Sequence, residues 1–250
     1  MRTRTEVYAR MLTLQADMAL PFELPFYYTP QWKEAGVVLD FGCGNAHYLN
    51  SLARMFPKKR YFGIEADKEM CALAQREAEA NVTILEPMDD IAGVMPEIEF
   101  FLFRLVLMHL QDRSSAYRYI VSRASRNAAV LIIDADDEFF LIEPPPTKFL
   151  DALGKLRAQS KNRSLLDISR KELNELGYED VMELRLAINS GFPHVRPLME
   201  KYMFHTAELG IGTPLPADLR DELWEWSLLP QSYAQYGVFG RLFIPRSSPI

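Results

Sequence analysis

The sequence is poor in cysteine and has neither a basic excess nor a long apolar run, and each shortage excludes a class of protein. Two cysteines, Cys43 and Cys71, give no disulfide framework, and no histidines and acids have metal-ligand spacing on one helix. The net charge of −6 argues against a nucleic-acid partner. No apolar run is long enough for a membrane helix, and the first residues lack the apolar core of a signal peptide. We therefore expect a cytoplasmic protein without metal, nucleic-acid or membrane partners.

A third glycine is missing from a turn that has the other features of a nucleotide-binding loop. An apolar run ends at Asp40 and is followed by Gly42, Cys43 and Gly44. This order predicts a buried strand, a tight turn and a helix start whose N–H groups face a ligand. A dinucleotide loop would have glycine where His47 stands, and that side chain argues against a bound pyrophosphate. S-adenosylmethionine, which has no phosphate, stays compatible with the turn.

An acid ends the next predicted strand. Glu65 lies 21 residues after Gly44, at the place where a carboxylate can accept both ribose hydroxyls of a nucleotide. This spacing fits NAD and S-adenosylmethionine alike, so Glu65 indicates an adenosine site without choosing the cofactor. Asp40 and His47 together favour S-adenosylmethionine.

These motifs resemble those of the class I S-adenosylmethionine-dependent methyltransferases, most of all bacterial methyltransferases of small molecules. The resemblance covers roughly residues 35–140, and its parts occur in the order of that family at 38–44, Glu65, 103–110 and 130–134. It implies S-adenosyl-L-methionine as the cofactor and S-adenosyl-L-homocysteine as the product.

The same resemblance implies a set of cofactor contacts. The methionine end is expected at the first turn, the ribose at Glu65 and the adenine beside Ala66 and the turn after the third strand. Arg104, at the end of the fourth strand, is either a partner for the cofactor carboxylate or part of a surface ion pair. The candidate residues are Asp40, Gly42, Cys43, Gly44, Glu65, Ala66, Met88, Asp89 and Arg104. In the adenine turn Asp89 is preferred, with Glu86 and Asp90 as alternatives.

Strand-like and helix-like segments alternate five times, which predicts an α/β fold with a doubly wound sheet. We expect seven strands, the last antiparallel, at 36–41, 60–65, 82–85, 100–103, 128–134, 181–188 and 238–244. A helix over 5–20 should stop before Pro21, and another should follow the fourth strand through Arg113. The acidic run 134–138 is expected to be either a solvated loop or a site that attracts a cationic amine. Metal chelation is disfavoured there, because the oxygens of a contiguous run rarely converge.

Two segments outside the alternating part are expected to form a lid. Residues 1–34 would be an N-terminal helical segment, and 35–250 the methyltransferase domain with a helical insertion at about 189–235. Both segments are rich in aromatic residues, which suits a chamber for a flat or apolar small molecule. Candidate substrate contacts are Tyr27, Tyr28, His109, Phe192, Tyr202 and Trp224. Since Trp224 and Trp226 cannot share a helix face, one of them should be structural.

Histidines are the candidates for a general base, which is needed only if the acceptor starts protonated. His194 and His205 lie in the insertion and are the two catalytic candidates. His47 is expected to pack beside the cofactor turn. His109 would be either a hydrogen-bonded core histidine or a substrate contact.

The sequence therefore predicts a methyltransferase acting on an oxygen or nitrogen of a small molecule, of the secondary-metabolite type. A peptide or protein methyltransferase is one alternative, and a protein that binds S-adenosylmethionine without methylating is another. An NAD-dependent oxidoreductase is opposed by His47. The oligomeric state stays open, with a homodimer as one alternative.

Overall fold

One mixed sheet organises the computed structural model, which describes residues 2–87, 95–159, 166–212 and 214–246. Its strands are β1 (Val37–Phe41), β2 (Arg60–Ile64), β3 (Val82–Leu85), β4 (Ile98–Arg104), β5 (Ala124–Glu143), β6 (Tyr178–Asn189) and β7 (Tyr233–Pro245). They lie in the order β3-β2-β1-β4-β5-β7-β6, and β7 runs antiparallel to both of its neighbours. The predicted seven-stranded α/β fold with an antiparallel last strand is confirmed.

Helices flank this sheet and precede it. They are α1 (Arg4–Glu23), α2 (Pro30–Glu34), α3 (His47–Met55), α4 (Lys68–Glu77), α5 (Ser114–Arg123), α6 (Thr147–Arg157), α7 (Leu166–Glu175), α8 (Arg196–Ile211) and α9 (Ala217–Leu228). Thr3 and Glu6 form a capping box that starts α1, and the Asp67 side chain caps α4 by accepting from the N–H of Met70. Among the described residues, no helix has the length and apolar character needed to cross a membrane.

Two helix predictions were wrong. Helix α1 does not stop before Pro21 but continues to Glu23, whose buried carboxylate is paired with Arg104 and so anchors the last turn. After β4 the expected helix through Arg113 is replaced by a short 3-10 helix, Leu107–His109. Leu105 stands just before it with φ 54°, a left-handed conformation that interrupts any regular helix.

The central strands are buried on both faces, as their nearly continuous apolar sequences require. Along β4, for example, Phe100 and Leu102 face one core while Phe101 and Phe103 face the other. Strand β5 is longer than the predicted 128–134 because its second half pairs with β7 beyond a register shift after Asp136.

The N-terminal helix α1 packs against α8, the first of the two helices between β6 and β7. Val7 and Met11 of α1 form a small apolar cluster with Leu209 of α8. Arg2 adds an ion pair with Glu208 of α8, with 2.6 Å between Nη2 and Oε1. These contacts place α1 and α8 together at one edge of the sheet.

Candidate functional site

A cavity of about 500 Å³ lies where α1 and α8 meet the carboxyl ends of the parallel strands. Glu65 after β2, Leu105 after β4 and Ala135 in β5 line it from the sheet, while Tyr8 and Leu12 line it from α1. In open α/β sheets ligands bind outside the carboxyl ends of the strands, which makes this cavity the candidate site.

The turn after β1 needs its two glycines for close packing. Both have positive φ, 76° at Gly42 and 57° at Gly44. A Cβ atom at Gly42 would overlap the Val106 side chain, and one at Gly44 would lie 2.7 Å from Cδ1 of Leu12. The N–H groups of Gly42 and Cys43 donate to the carbonyl of Ile64, so they serve the protein itself. That the N–H groups at the start of α3 face a ligand stays a prediction.

Glu65 is held by backbone donors on both of its oxygens. Oε2 accepts from the N–H of Gly44 at 2.8 Å, and Oε1 accepts from the N–H of Asp67 at 2.9 Å. Each carboxylate oxygen has a further lone pair. The half-buried carboxylate at the cavity wall can therefore accept two neighbouring hydroxyl groups of a ligand.

Asp40 is a buried acid at the end of β1. Its side chain is 3 % exposed, and its Oδ1 has no hydrogen-bond partner among the residues that the structure describes. Burial raises the pKa of Asp40 to about 7, with Arg104 opposing the rise and Glu65 adding to it. A buried carboxyl with an unpartnered oxygen would be stabilised by a hydrogen-bond donor or a cation that a ligand supplies.

Arg104 lies in a buried ion pair and not in the surface pair that the sequence left open. Its Nε lies 3.1 Å from Oε2 of Glu23 and its Nη2 lies 3.2 Å from Oε1. The guanidinium carbon is 4.1 Å from the ring centroid of Tyr48, whose hydroxyl donates to Glu23. Contact between Arg104 and the cofactor carboxylate stays a prediction.

Helix α1 is fastened to the glycine turn. The side-chain amide of Asn45 donates to the Ala9 carbonyl and to the Thr13 hydroxyl, both at 2.9 Å. His47 lies beside the turn as expected, with Nε2 2.7 Å from Oδ1 of Asp17. The N-terminal helix thus forms one side of the candidate cofactor site.

The remaining cofactor candidates have mixed placements. Cys43 is buried against β2, where a Cβ at Gly63 would lie 2.7 Å from its sulfur. Ala66 is exposed directly after Glu65. Met88 and Asp89 lie outside the described residues, as does the alternative Asp90.

The structure brings two of the six substrate candidates to the cavity, His109 and Tyr202. His109 is exposed there and is not a core histidine. Tyr27 is buried in the core, with its hydroxyl 2.6 Å from that of Tyr48. Three further candidates are exposed and lie outside the cavity lining, namely Tyr28, Phe192 and Trp224.

Trp224 faces away because Trp226 occupies the inner face of α9. The indole N–H of Trp226 donates to the Pro144 carbonyl at 2.9 Å. Neither catalytic candidate lines the cavity: His194 packs with Phe22, and His205 has Nδ1 2.7 Å from Oε2 of Glu208. The structure therefore does not bring the two proposed bases to the candidate site.

The acidic run after the fifth predicted strand belongs to β5 and is paired with arginines. Asp136 forms a two-point contact with Arg185 at 2.6 and 2.8 Å. Arg185 also contacts Glu138, and Asp137 lies 3.4 Å from Arg157. Neither a solvated loop nor an open attraction for a cation describes this segment.

Sequence reasoning missed several polar residues of the cavity, including Tyr8, Thr206 and Gln235. Burial and then the charge of Glu65 raise the pKa of Tyr8 to about 12, so this phenol stays protonated. Tyr8 and Leu12 lie one helical turn apart on α1, and this spacing was the signal that the sequence offered for a shared helix face. Glu23 was also missed, although it is a lone charge in an apolar and aromatic stretch.

Comparisons with known proteins agree with this architecture. A family model for a methyltransferase domain matches residues 38–126. The solved YcgJ protein of Bacillus subtilis is 16% identical over 92% of this chain and 99% of its own, with a TM-score of 0.54. A methyltransferase of Geobacter sulfurreducens, solved with S-adenosyl-L-homocysteine, is 18% identical over 92% and 90%, with a TM-score of 0.50.

A search of curated proteins found no match to this chain. Identities this low show the shared fold, while the family model identifies the segment that runs from β1 into β5. The glycine turn and Glu65, which accepts from the N–H of Gly44, lie within that segment. The strands outside it complete the seven-stranded order. Residues 38–126 therefore match a methyltransferase domain, and the seven-stranded fold around them is one that solved S-adenosylmethionine-dependent methyltransferases share.

Proposed function

We propose that this protein transfers a methyl group from S-adenosyl-L-methionine to an oxygen or nitrogen of a small molecule, in cytoplasmic secondary metabolism. The observation that carries the proposal is the position of Glu65. Its carboxylate is fixed by the glycine turn and lines a cavity that continues to α8. Because the cavity extends from Glu65 to α8, an acceptor would bind beside the cofactor.

Two acids at the ends of β1 and β2 fit the cofactor by their chemistry. Glu65 would accept the two ribose hydroxyls, and the unpartnered Oδ1 of Asp40 would receive the ammonium group of the methionine end. S-adenosylmethionine supplies a methyl carbon that is already electrophilic on a sulfonium. The protein must then orient the acceptor and exclude water, which accounts for about 7–11 kcal/mol in favourable systems.

Calorimetry with S-adenosylmethionine, S-adenosylhomocysteine and NAD tests the cofactor. We expect heat from the first two only. Glu65→Ala should weaken S-adenosylmethionine binding by about 10- to 100-fold, because hydrogen bonds to a charged group contribute roughly 1.5–3 kcal/mol. Glu77→Ala removes an exposed acid of α4 and is the matched control. Equal binding of NAD, or unchanged affinity in Glu65→Ala, would contradict the proposal.

A mass search for products then separates transfer from binding alone. The purified protein and S-adenosylmethionine are incubated with a small-molecule extract and, separately, with a peptide extract. A gain of one methyl in the first supports the proposal, and a gain only in the second supports the peptide alternative. No gain in either, with the cofactor bound, leaves a protein that binds without methylating.

We also propose that the N-terminal segment, 1–34, and the insertion, about 189–235, cover the acceptor as a lid. The contacts of α1 with the glycine turn and with α8 support this. S-adenosylhomocysteine should slow amide hydrogen exchange in α1 more than in α5, which does not line the cavity. Equal protection of the two helices would contradict the lid.

A further inference from the structure

Residues with hydroxyl groups from two different elements line the cavity. Tyr202 and Thr206 lie one turn apart on α8, and Tyr236 comes from β7. The rings of Tyr202 and Tyr236 stack with centroids 5.8 Å apart and an interplanar angle of 26°. This stack fixes the plane of Tyr236, so its hydroxyl has a defined position beside α8.

Two of these hydroxyls are buried and lack a partner. The Thr206 side chain is 1 % exposed, and neither its Oγ1 nor the Tyr236 oxygen has a hydrogen bond to any described part of the chain. Buried polar groups are nearly always paired in folded proteins because an unpaired one loses its water without replacement. Two such groups in residues that line one cavity point to a ligand that forms the missing hydrogen bonds.

The rest of the cavity is mostly apolar and adaptable. Its walls include five methionines, namely Met11, Met70, Met108, Met199 and Met203. Methionine side chains are flexible and polarizable, and they accommodate flat or irregular apolar molecules. The acidic side chains at the β5 side are already paired, Asp136 with Arg185 and Asp137 with Arg157. These carboxylates are therefore already neutralised by arginines and do not favour a cationic acceptor.

The chemistry of the two hydroxyls narrows the ligand further. A threonine or a protonated tyrosine is both donor and acceptor, so its natural complement is another hydroxyl. An ammonium group only donates and a carboxylate only accepts. Burial raises the pKa of Tyr236 well above its ordinary value, which keeps the phenol protonated and able to donate.

We propose that Tyr236 and Thr206 form the acceptor-binding wall, and that the acceptor is an uncharged, largely apolar molecule with a phenol or alcohol group. This deepens the proposed function and rests on it. Tyr236 and Thr206 are specificity-determining residues that orient the acceptor beside the methyl group. The stacked Tyr202 is a positioning residue for Tyr236.

Matched naphthalene probes test this wall without knowledge of the natural substrate. Binding of 1-naphthol, naphthalene and 1-naphthylmethylamine is measured with and without saturating S-adenosylhomocysteine. We expect 1-naphthol to bind about 3- to 10-fold more tightly than naphthalene, the factor of a neutral hydrogen bond. The cationic amine should bind no more tightly than naphthalene.

The variants Tyr236→Phe and Thr206→Val remove one hydroxyl each at nearly constant shape. Each should reduce the preference for 1-naphthol severalfold and leave naphthalene binding unchanged. Tyr28→Phe is the matched control, since its hydroxyl is exposed and away from the cavity. If one variant fails to fold, the other carries the test alone.

Equal affinity of the wild type for 1-naphthol and naphthalene overturns the inference, and so does tightest binding of the amine. Heat from S-adenosylhomocysteine is recorded separately in every variant. If the wild type gives no heat of binding with S-adenosylhomocysteine, the proposed function fails. If that heat is present while the probes show no preference for the hydroxyl, only the acceptor wall fails.

Discussion

Glu23→Ala should lower the free energy of unfolding by about 3–5 kcal/mol, the usual loss when one partner of a buried ion pair is removed. Glu23 is fully buried, and Arg104 is 8 % exposed in its side chain. Without the carboxylate the guanidinium stays in the core without its counter-charge, and the Tyr48 hydroxyl loses its acceptor. Urea denaturation of the wild type and the variant measures the difference.

An exposed ion pair provides the matched control. Arg54 and Glu79 are 2.8 Å apart at the surface, so Glu79→Ala should cost less than about 1 kcal/mol. The double variant Glu23→Leu/Arg104→Met should recover most of the loss, because it removes both charges together. Similar losses in Glu23→Ala and Glu79→Ala would show that the buried pair contributes no more to the free energy of unfolding than the exposed pair.

The second large effect concerns Asp40 and pH. Its pKa is about 7 in the folded protein and about 3.8 in the unfolded chain, so the folded state binds the extra proton between these values. The resulting stability is fully present below the unfolded pKa and is lost as pH rises through the folded one. Between pH 5 and pH 8 we expect a loss of roughly 2–3 kcal/mol from this group.

Asp40→Asn should remove this dependence, since an amide does not titrate. Denaturation at pH 5, 6, 7 and 8 should give a flatter profile for the variant, and at pH 8 the variant should be the more stable protein. Glu77→Gln, at an exposed acid, should leave the wild-type profile unchanged. A profile for Asp40→Asn as steep as that of the wild type would assign the pH dependence to other groups.

The same substitution should affect the proposed cofactor in the opposite direction. The ionised Asp40 is the form that attracts an ammonium group, so S-adenosylmethionine affinity should increase with pH through the range where Asp40 ionises. Asp40→Asn should bind the cofactor less tightly although it is more stable. Such opposition between stability and binding is common at functional sites.

The sequence predicted those features that depend on neighbours along the chain. Gly42, Gly44 and Glu65 form a local pattern, and the apolar runs of the strands are continuous, so the fold and the tight glycine turn could be predicted from them. The pairing of Arg104 with Glu23 was not predictable in this way. It joins residues 81 positions apart, and no local pattern specifies which buried acid an arginine will find.

The acceptor side was harder for the same reason. Aromatic content predicted a chamber but not which rings face it, and Trp224 and Phe192 point elsewhere. Thr206 carries no sequence signal, because its role depends on burial beside a strand that follows it by some thirty residues. The placement of His194 and His205 depended likewise on how α8 packs, which residue spacing leaves open.

The pairing of Arg2 with Glu208 spans 206 positions, and the apolar cluster of α1 and α8 has nearly the same span. Contacts of such long range close very large loops, so we expect them to form late in folding. During synthesis α1 is made about two hundred residues before the partner helix α8. Until α8 is made, Val7 and Met11 lack the Leu209 side chain, and the cavity lacks the wall that α8 supplies.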